Sequence, residues 1–262
     1  MKILLTNDDG FFAPGIAALH QELQQLGEVL RVAPATEQSG VGHSITFLTP
    51  LIAHRVFADE TFAGWKVEGS PADCVKLGIS ELCEWKPDLV VSGINGGLNA
   101  GINVLYSGTV AGAIEGAFFG INSVAVSLEF DEQANFDAAA KIAVNVIANV
   151  LKQRSTPPRL YNLNIPTAAT QSTTSLKIVP MGTNRYGEDY IKRSDPKGRN
   201  YYWATNDPPP QATEHETDLS ALADGNVTLT PLDYNMTSTS ALQELQGWGL
   251  QLDANQTESN KD

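Results

Sequence analysis

Short runs of consecutive apolar residues recur along the first 130 positions, and most are followed by a polar, glycine-containing loop. Residues 2–6 (KILLT) form the first such run and read as a buried strand, closed by Asn7. After the loop NDDGFFAPG, residues 15–26 (GIAALHQELQQL) carry apolar positions at helical spacing, and Gly27 ends them. EVLRVAP is a second strand, followed by the loop QSGVGHS at 38–44 and the extended stretch SITFLTPLIAHRVF. A helix is expected from Pro71 to about Leu82, entered through Ser70, and DLVVSGIN is another buried strand. The loop NGGLNAGINVLYSGT at 95–109 then feeds a small-residue helix, VAGAIEGAFFG. NSVAVSLEF is a further strand and residues 135–152 an alanine-rich helix.

This alternation predicts an α/β fold: a Rossmann-like, mostly parallel sheet with helices on both faces. Right-handed crossovers place the strand-to-helix loops on one edge of that sheet. Past about residue 160 the apolar runs shorten. RYGEDYIKRSDPKGRNYYWAT reads as a β-hairpin around Asp195-Pro196-Lys197-Gly198, NVTLTPL as one more strand, and TSTSALQELQGWGL as a short terminal helix. The expected organisation is a Rossmann-like core at 1–160, a β-rich region at 161–252 that returns to the core, and a frayed tail at 253–262.

A chain of 262 residues can bury a large core, and its apolar (42%) and charged (18%) fractions are those of a globular protein. Its formal charge of −13 argues against a nucleic-acid polymer as partner and repels anionic substrates on average. A bound divalent cation would offset that repulsion locally. Cys74 and Cys83 lie nine positions apart on one expected helix, roughly 13 Å, too far for a disulfide. They read as thiols of a reducing compartment. With neither a secretory signal nor an apolar run of membrane-spanning length in the sequence, the cytoplasm is expected and no membrane partner.

Three loops carry candidate chemistry. In the first, Asp8 and Asp9 are adjacent carboxylates at a strand end, and burying them calls for a partner. A hard divalent cation (Mg²⁺, Mn²⁺ or Ca²⁺) would serve; an Asx-type turn in which they cap the next helix would serve equally. The second loop, at 38–44, lacks the lysine of a Walker motif, and no GxGxxG follows the first strand. His43 within it is either an acid/base or a hydrogen-bonded loop residue. In the third loop Asn95 offers a neutral oxygen to a metal. Ser107, Gly108 and Thr109 precede a helix, whose free N–H groups favour phosphate and whose start calls for a capping hydroxyl. Arg185, Lys192, Arg193, Lys197 and Arg199 are either a solvated hairpin face or a phosphate-attracting rim or subunit contact.

Taken in order, ILLTNDDGFFAPGI, PATEQSGVGHSIT and VVSGINGGLNAGINVLYSGTVAGA resemble the survival protein SurE family of acid-phosphatase-like nucleotidases. The similarity continues through EGSPADCVKLG, RSDPKGRNYYW and NVTLTPL, over nearly the whole chain. The resemblance implies one divalent cation per subunit, Mg²⁺ or Mn²⁺ with Ca²⁺ also admitted, on Asp8, Asp9, Ser39 and Asn95. It implies hydrolysis of nucleoside 5′-monophosphates, with 3′-monophosphates and short polyphosphate as further substrates, and a homodimer or homotetramer built through C-terminal elements. Asp8 or Asp9 would take the proton of the attacking water, and Asn95, Gly96, Ser107, Gly108 and Thr109 would hold the phosphate. Two departures stand out: Glu216 where the family often has glycine before Thr-Asp, and Asn226 where an aromatic commonly follows Gly225. Both lie far from the metal motifs and bear on local backbone and substrate fit. The alternative of another class is a receiver-like, Mg²⁺-binding regulatory module, which would need a third aspartate where this chain has Ser92-Gly93-Ile94-Asn95. A metal with a purely structural role in an oligomeric scaffold is a further rival.

Overall fold

The computed structural model describes residues 1–132, 134–153, 159–183, 189–205 and 215–251. In chain order its strands are β1 (Lys2–Thr6), β2 (Glu28–Pro34), β3 (Ala53–Ala58), β4 (Thr61–Val67), β5 (Leu89–Gly96), β6 (Asn122–Leu128), β7 (Leu160–Ile165), β8 (Leu176–Ile178), β9 (Tyr190–Ser194), β10 (Asn200–Ala204) and β11 (Val227–Leu232). The α-helices are α1 (Pro14–Leu23), α2 (Pro71–Leu77), α3 (Gly108–Phe118), α4 (Phe136–Lys152), α5 (Thr167–Gln171), α6 (Asp218–Ala223) and α7 (Thr239–Gly247). Met1–Leu232 is one compact unit, and a second begins at Asp233.

Nine strands form one sheet in the order β3-β4-β2-β1-β5-β6-β7-β11-β8. Pairing is parallel from β4 through β7, and β11 runs antiparallel to β7. The α/β architecture is therefore the expected one. Each buried strand sends alternate residues to opposite faces. On β1, Ile3 and Leu5 join a cluster with Ile16 and Leu19 of α1 and Ala143 and Ile147 of α4. Leu4 joins Cys74 and Val75 of α2 on the other face. Two apolar faces explain why such strands read as unbroken apolar runs. Fully burying each such side chain contributes roughly 1.5–3 kcal/mol.

The topology places the site. From β1 the sheet proceeds to β2 on one side and to β5 on the other, so strand order reverses beside β1. Open α/β sheets bind ligands at the carboxyl ends of the strands at such a point. Loops 7–13 and 97–107 both leave from there.

Some elements differ from expectation. Within the extended stretch at 44–57 only residues 53–57 are strand, the larger part of β3, and the helix begun at Pro71 continues as a π-helical turn at Gly78–Leu82. Strands β4 and β7 were not anticipated. The first carries Gly64 and Lys66 near the sheet edge, and the second alternates apolar residues with Asn162 and Asn164. The hairpin is present: β9 pairs with β10, and Gly198 (φ +80°) donates to the Asp195 carbonyl at 2.9 Å across the expected turn. Cys74 and Cys83 are free thiols. Among the described residues no helix is long and apolar enough to cross a membrane. Arg185, the Pro208–Pro210 run and the tail at 253–262 lie outside the described residues.

Candidate active site

β1 ends at Thr6, level with Ser92 of β5, so the two chains leave the sheet side by side. Asn7 closes the first loop: its amide donates to the Gly10 carbonyl at 2.9 Å, and Gly10 takes φ +102°, a conformation suited to glycine. Helix α1 begins from Ala13, with Pro14 at its first position and no capping side chain. Asp8 and Asp9 therefore do not cap it, and that reading falls.

Asp8 is buried and Asp9 half-buried. Among the described residues no basic side chain pairs with either. Burial pushes the Asp8 carboxyl up from 3.8 to about 6, opposed by the hydrogen bond from Thr109 and assisted by the neighbouring Asp9 charge. Burial also raises Asp9, opposed by the Gly96 N–H and assisted by Glu37. Two carboxylates raised in this way are short of a cation.

The third loop closes on this pair. Thr109 Oγ1 donates to Asp8 Oδ1 at 2.5 Å, and the Gly96 N–H donates to Asp9 Oδ2 at 3.2 Å. Gly108 has no room for a side chain: a Cβ there would stand 2.9 Å from Asp8 Cβ. Helix α3 thus starts directly against Asp8, with Ser107 as its N-cap accepting from the Val110 N–H at 3.1 Å. The register slip between Ser92 and Asn95 against β6 is a bulge at the end of β5. Past it, the Asn95 amide donates to the Gly97 carbonyl at 2.6 Å, so the carbonyl half of that amide is the half suited to a cation.

The second loop is tied down along its length. The Gln38 N–H donates to the Asp8 carbonyl at 2.8 Å, which sets Ser39 beside the first loop, and the Ser39 hydroxyl donates to Glu37 at 2.6 Å. The Gly42 N–H donates to the Tyr106 carbonyl. His43 pairs with buried Glu115 of α3 at 2.8 Å and stacks on Phe118. Thr46 donates its N–H and its hydroxyl to Asp73, both at 2.8 Å. Asp73 also completes a capping box with Ser70 at the start of α2.

Asp8, Asp9, Gly96, Gly108 and Thr109 are therefore joined by direct contacts, while Ser39, Asn95 and Ser107 are held by neighbours within their own loops. The Thr109 hydroxyl is committed to Asp8 rather than free for a phosphate. Sequence reasoning missed Asn99, Asn162 and Asn164, as well as Asp73, Glu115 and Asp218. The Ser70-x-x-Asp73 spacing was the one available signal, for Asp73. Asp218 is fully buried and accepts N–H groups from Gly101 (2.8 Å), Gly182 (2.7 Å) and Leu219 (2.9 Å), joining the third loop to the segment before the hairpin. The two departures sit in local contacts: Glu216 pairs with Lys177 at 3.0 Å, and Asn226 accepts from Ser175.

The oxygens gathered here are hard donors of the kind that suit Mg²⁺ or Mn²⁺. Among the described residues no three His, Cys, Asp or Glu side chains converge, so a cation would rest on two carboxylates completed by neutral oxygens. Asn7 Oδ1 is also buried without a hydrogen-bond partner beside the pair. On charge and donor type the residues fit a divalent cation.

The family model for survival protein SurE matches residues 3–188. The chain belongs to the SurE family. It is 59% identical to the 5′-nucleotidase SurE of Rhodopirellula baltica, over 95% of this chain and 99% of that protein. It is 39% identical to the 5′-nucleotidase SurE of Heliobacterium modesticaldum, over 95% and 92% of the two chains. The crystal structure of the SurE protein from Aquifex aeolicus superposes with a TM-score of 0.81 at 39% identity, covering 95% of this chain and 99% of that one. The SurE relatives lend no support to a receiver-like module.

Proposed function

We propose that this SurE chain is a metal-dependent 5′-nucleotidase, hydrolysing nucleoside 5′-monophosphates to nucleoside and inorganic phosphate. The observation that carries the reading is the start of α3 pressed against Asp8, beside a second carboxylate, with no basic side chain among the described residues paired with either. An anion would be held at that helix start, and a divalent cation would neutralise the carboxylates.

One divalent cation per subunit, Mg²⁺ or Mn²⁺, would be held by Asp8, Asp9, Ser39 and Asn95. When bound, it would supply Lewis-acid polarisation of the phosphate and neutralise its charge. Ser107 and Gly108 would orient the phosphoryl group through main-chain N–H groups and the Ser107 hydroxyl, with Asn95, Gly96 and Thr109 at the edge of the same cradle. Asp9, the more exposed of the pair, accepts the proton of the attacking water. Asp8, buried and bonded to Thr109, stays fixed as a ligand. A cavity of about 520 Å³, lined by Thr36, Gln38, Ser44, Thr46 and Ser70, gives the nucleoside end room beside the second loop.

A homodimer or homotetramer is the assembly this reading expects, and exposed apolar side chains support it. Helix α7 has no buried residue, and Leu242, Leu245 and Trp248 are exposed on it. The hairpin exposes Tyr190, Ile191, Tyr202 and Trp203. An isolated nine-residue helix is marginal in water, and a second copy would cover such apolar faces. The cytoplasm remains the expected compartment.

The test is a panel. EDTA-stripped protein receives Mg²⁺, Mn²⁺ or Ca²⁺ and is assayed against 5′- and 3′-monophosphates, short polyphosphate and p-nitrophenyl phosphate. Metal-dependent phosphate release, highest on 5′-monophosphates, is expected. No release across the panel overturns the reading.

A further inference from the structure

Behind Asp8 runs a buried chain of polar groups that the catalytic reading leaves unused. Asn99, Thr109, Ser127, Asn162 and Asn164 are all buried. Asn162 and Asn164, two apart on β7, face the same way and grip the main chain of Asn99. The Asn162 amide donates to the Asn99 carbonyl at 2.7 Å, and the Asn164 amide donates to the same carbonyl at 3.1 Å. Asn164 Oδ1 accepts the Asn99 N–H at 2.8 Å. Thus both main-chain polar groups of Asn99 are taken by side chains of a strand whose own ladder runs elsewhere, to β6 and β11.

Held in this way, the Asn99 side chain donates to Ser127 Oγ at 2.9 Å and to Thr109 Oγ1 at 3.3 Å. A hydroxyl has one proton to give. Since Thr109 accepts from Asn99, its proton is directed at Asp8, at 2.5 Å. The arrangement carries a cost: Asn162 Oδ1 is buried with no hydrogen-bond partner. Leaving such an atom unsatisfied is unfavourable, and a strand chosen for packing alone would carry an apolar residue there.

We infer that Asn162 and Asn164 are positioning residues of the active site, acting through Asn99 and Thr109 to fix Asp8 for cation binding. The inference rests on the nucleotidase reading and extends it to a strand that touches neither cation nor substrate.

The test combines Asn162→Leu, Asn164→Leu, Thr109→Val and Thr109→Ser. Each protein is titrated calorimetrically with Mn²⁺ and assayed with AMP. Groups that orient a metal ligand alter affinity or activity by roughly 10–100-fold. Each leucine variant is expected to weaken Mn²⁺ binding about tenfold and to lower kcat, with KM changed by less than about twofold. With Thr109→Val already present, Asn164→Leu should add almost nothing, because its path to Asp8 is cut. With Thr109→Ser, which keeps the hydroxyl, the tenfold effect should return. Where a leucine variant does not fold, Asn164→Asp serves, retaining the acceptor for the Asn99 N–H and losing the donor. Variants that melt earlier but bind Mn²⁺ and turn over as wild type overturn the inference alone, as does a full additive effect on Thr109→Val. A wild-type protein that neither binds Mn²⁺ nor releases phosphate overturns the nucleotidase reading and the inference with it.

Discussion

Thr109 Oγ1 donates to Asp8 Oδ1 at 2.5 Å, joining residues 101 positions apart in the sequence. The contact exists because β1 and β5 are neighbours at the point where strand order reverses, and because α3 begins on that edge. It sets a helix N-terminus and a buried carboxylate side by side.

The tightness of that junction is testable at Gly108. An added Cβ would lie 2.9 Å from Asp8 Cβ, inside any normal contact, and a tight 3.1 Å from its Oδ2. Gly108→Ala should leave a cooperatively folded protein and reduce kcat/KM by about a hundredfold, the scale expected when a reacting group is displaced by about 1 Å. Steady-state kinetics beside thermal melts check this. Unchanged kinetics would mean that Asp8 is not where turnover is decided.

A pH dependence follows from Asp8. Its folded value of about 6 exceeds the ordinary 3.8 because of burial, so the folded chain holds the proton more tightly than the unfolded one. That contribution to stability is fully present below the ordinary value and is lost as pH rises through about 6. At neutral pH the metal-free protein therefore carries a destabilising charge. Asp8→Asn keeps an acceptor for Thr109 and removes the charge. It should stabilise metal-free protein at about pH 7.5 by on the order of 1–3 kcal/mol, and by much less at about pH 4.5. Mn²⁺ affinity of the wild type should fall as pH drops through about 6, where the proton competes for Asp8. A metal-free Asp8→Asn protein that melts lower at about pH 7.5 would contradict this account.

The second loop depends on Asp73, which binds Thr46 twice and caps α2. Asp73→Ala should destabilise the protein by about 1–3 kcal/mol through the lost cap and the orphaned N–H groups. It should also raise KM for AMP, because the segment carrying Ser39 loses its anchor. His43→Ala loosens the same loop from the α3 side and should raise KM with a smaller loss of stability. Melting curves and KM values distinguish the two, and a KM unchanged in both variants would show the loop to be set by other contacts.

The strands flanking the site were legible because they are apolar on both faces, as Ile3, Leu4 and Leu5 illustrate. The hairpin was legible through Asp195-Pro196-Lys197-Gly198, whose turn chemistry is local. Asp8 and Asp9 stood out because adjacent carboxylates after an apolar strand need a partner. Their choice between capping and cation was not readable, since it turned on where α1 starts. Strand β7 was hidden for the reason that makes it interesting: Asn162 and Asn164 break its apolar pattern by facing a buried polar chain rather than solvent. Contacts such as Asp218 to Gly101, 117 positions apart, depend on topology and leave no local pattern.

The central claim is that the Asp8-Asp9 pair works with a bound divalent cation on a nucleoside monophosphate. The most direct measurement is the rate of phosphate release from AMP by EDTA-stripped protein as Mn²⁺ is added in stepwise equivalents. The account predicts negligible release without metal and saturable activation on binding of one ion per subunit, abolished by Asp9→Asn. Full turnover by the stripped protein, or undiminished turnover by Asp9→Asn, would contradict it.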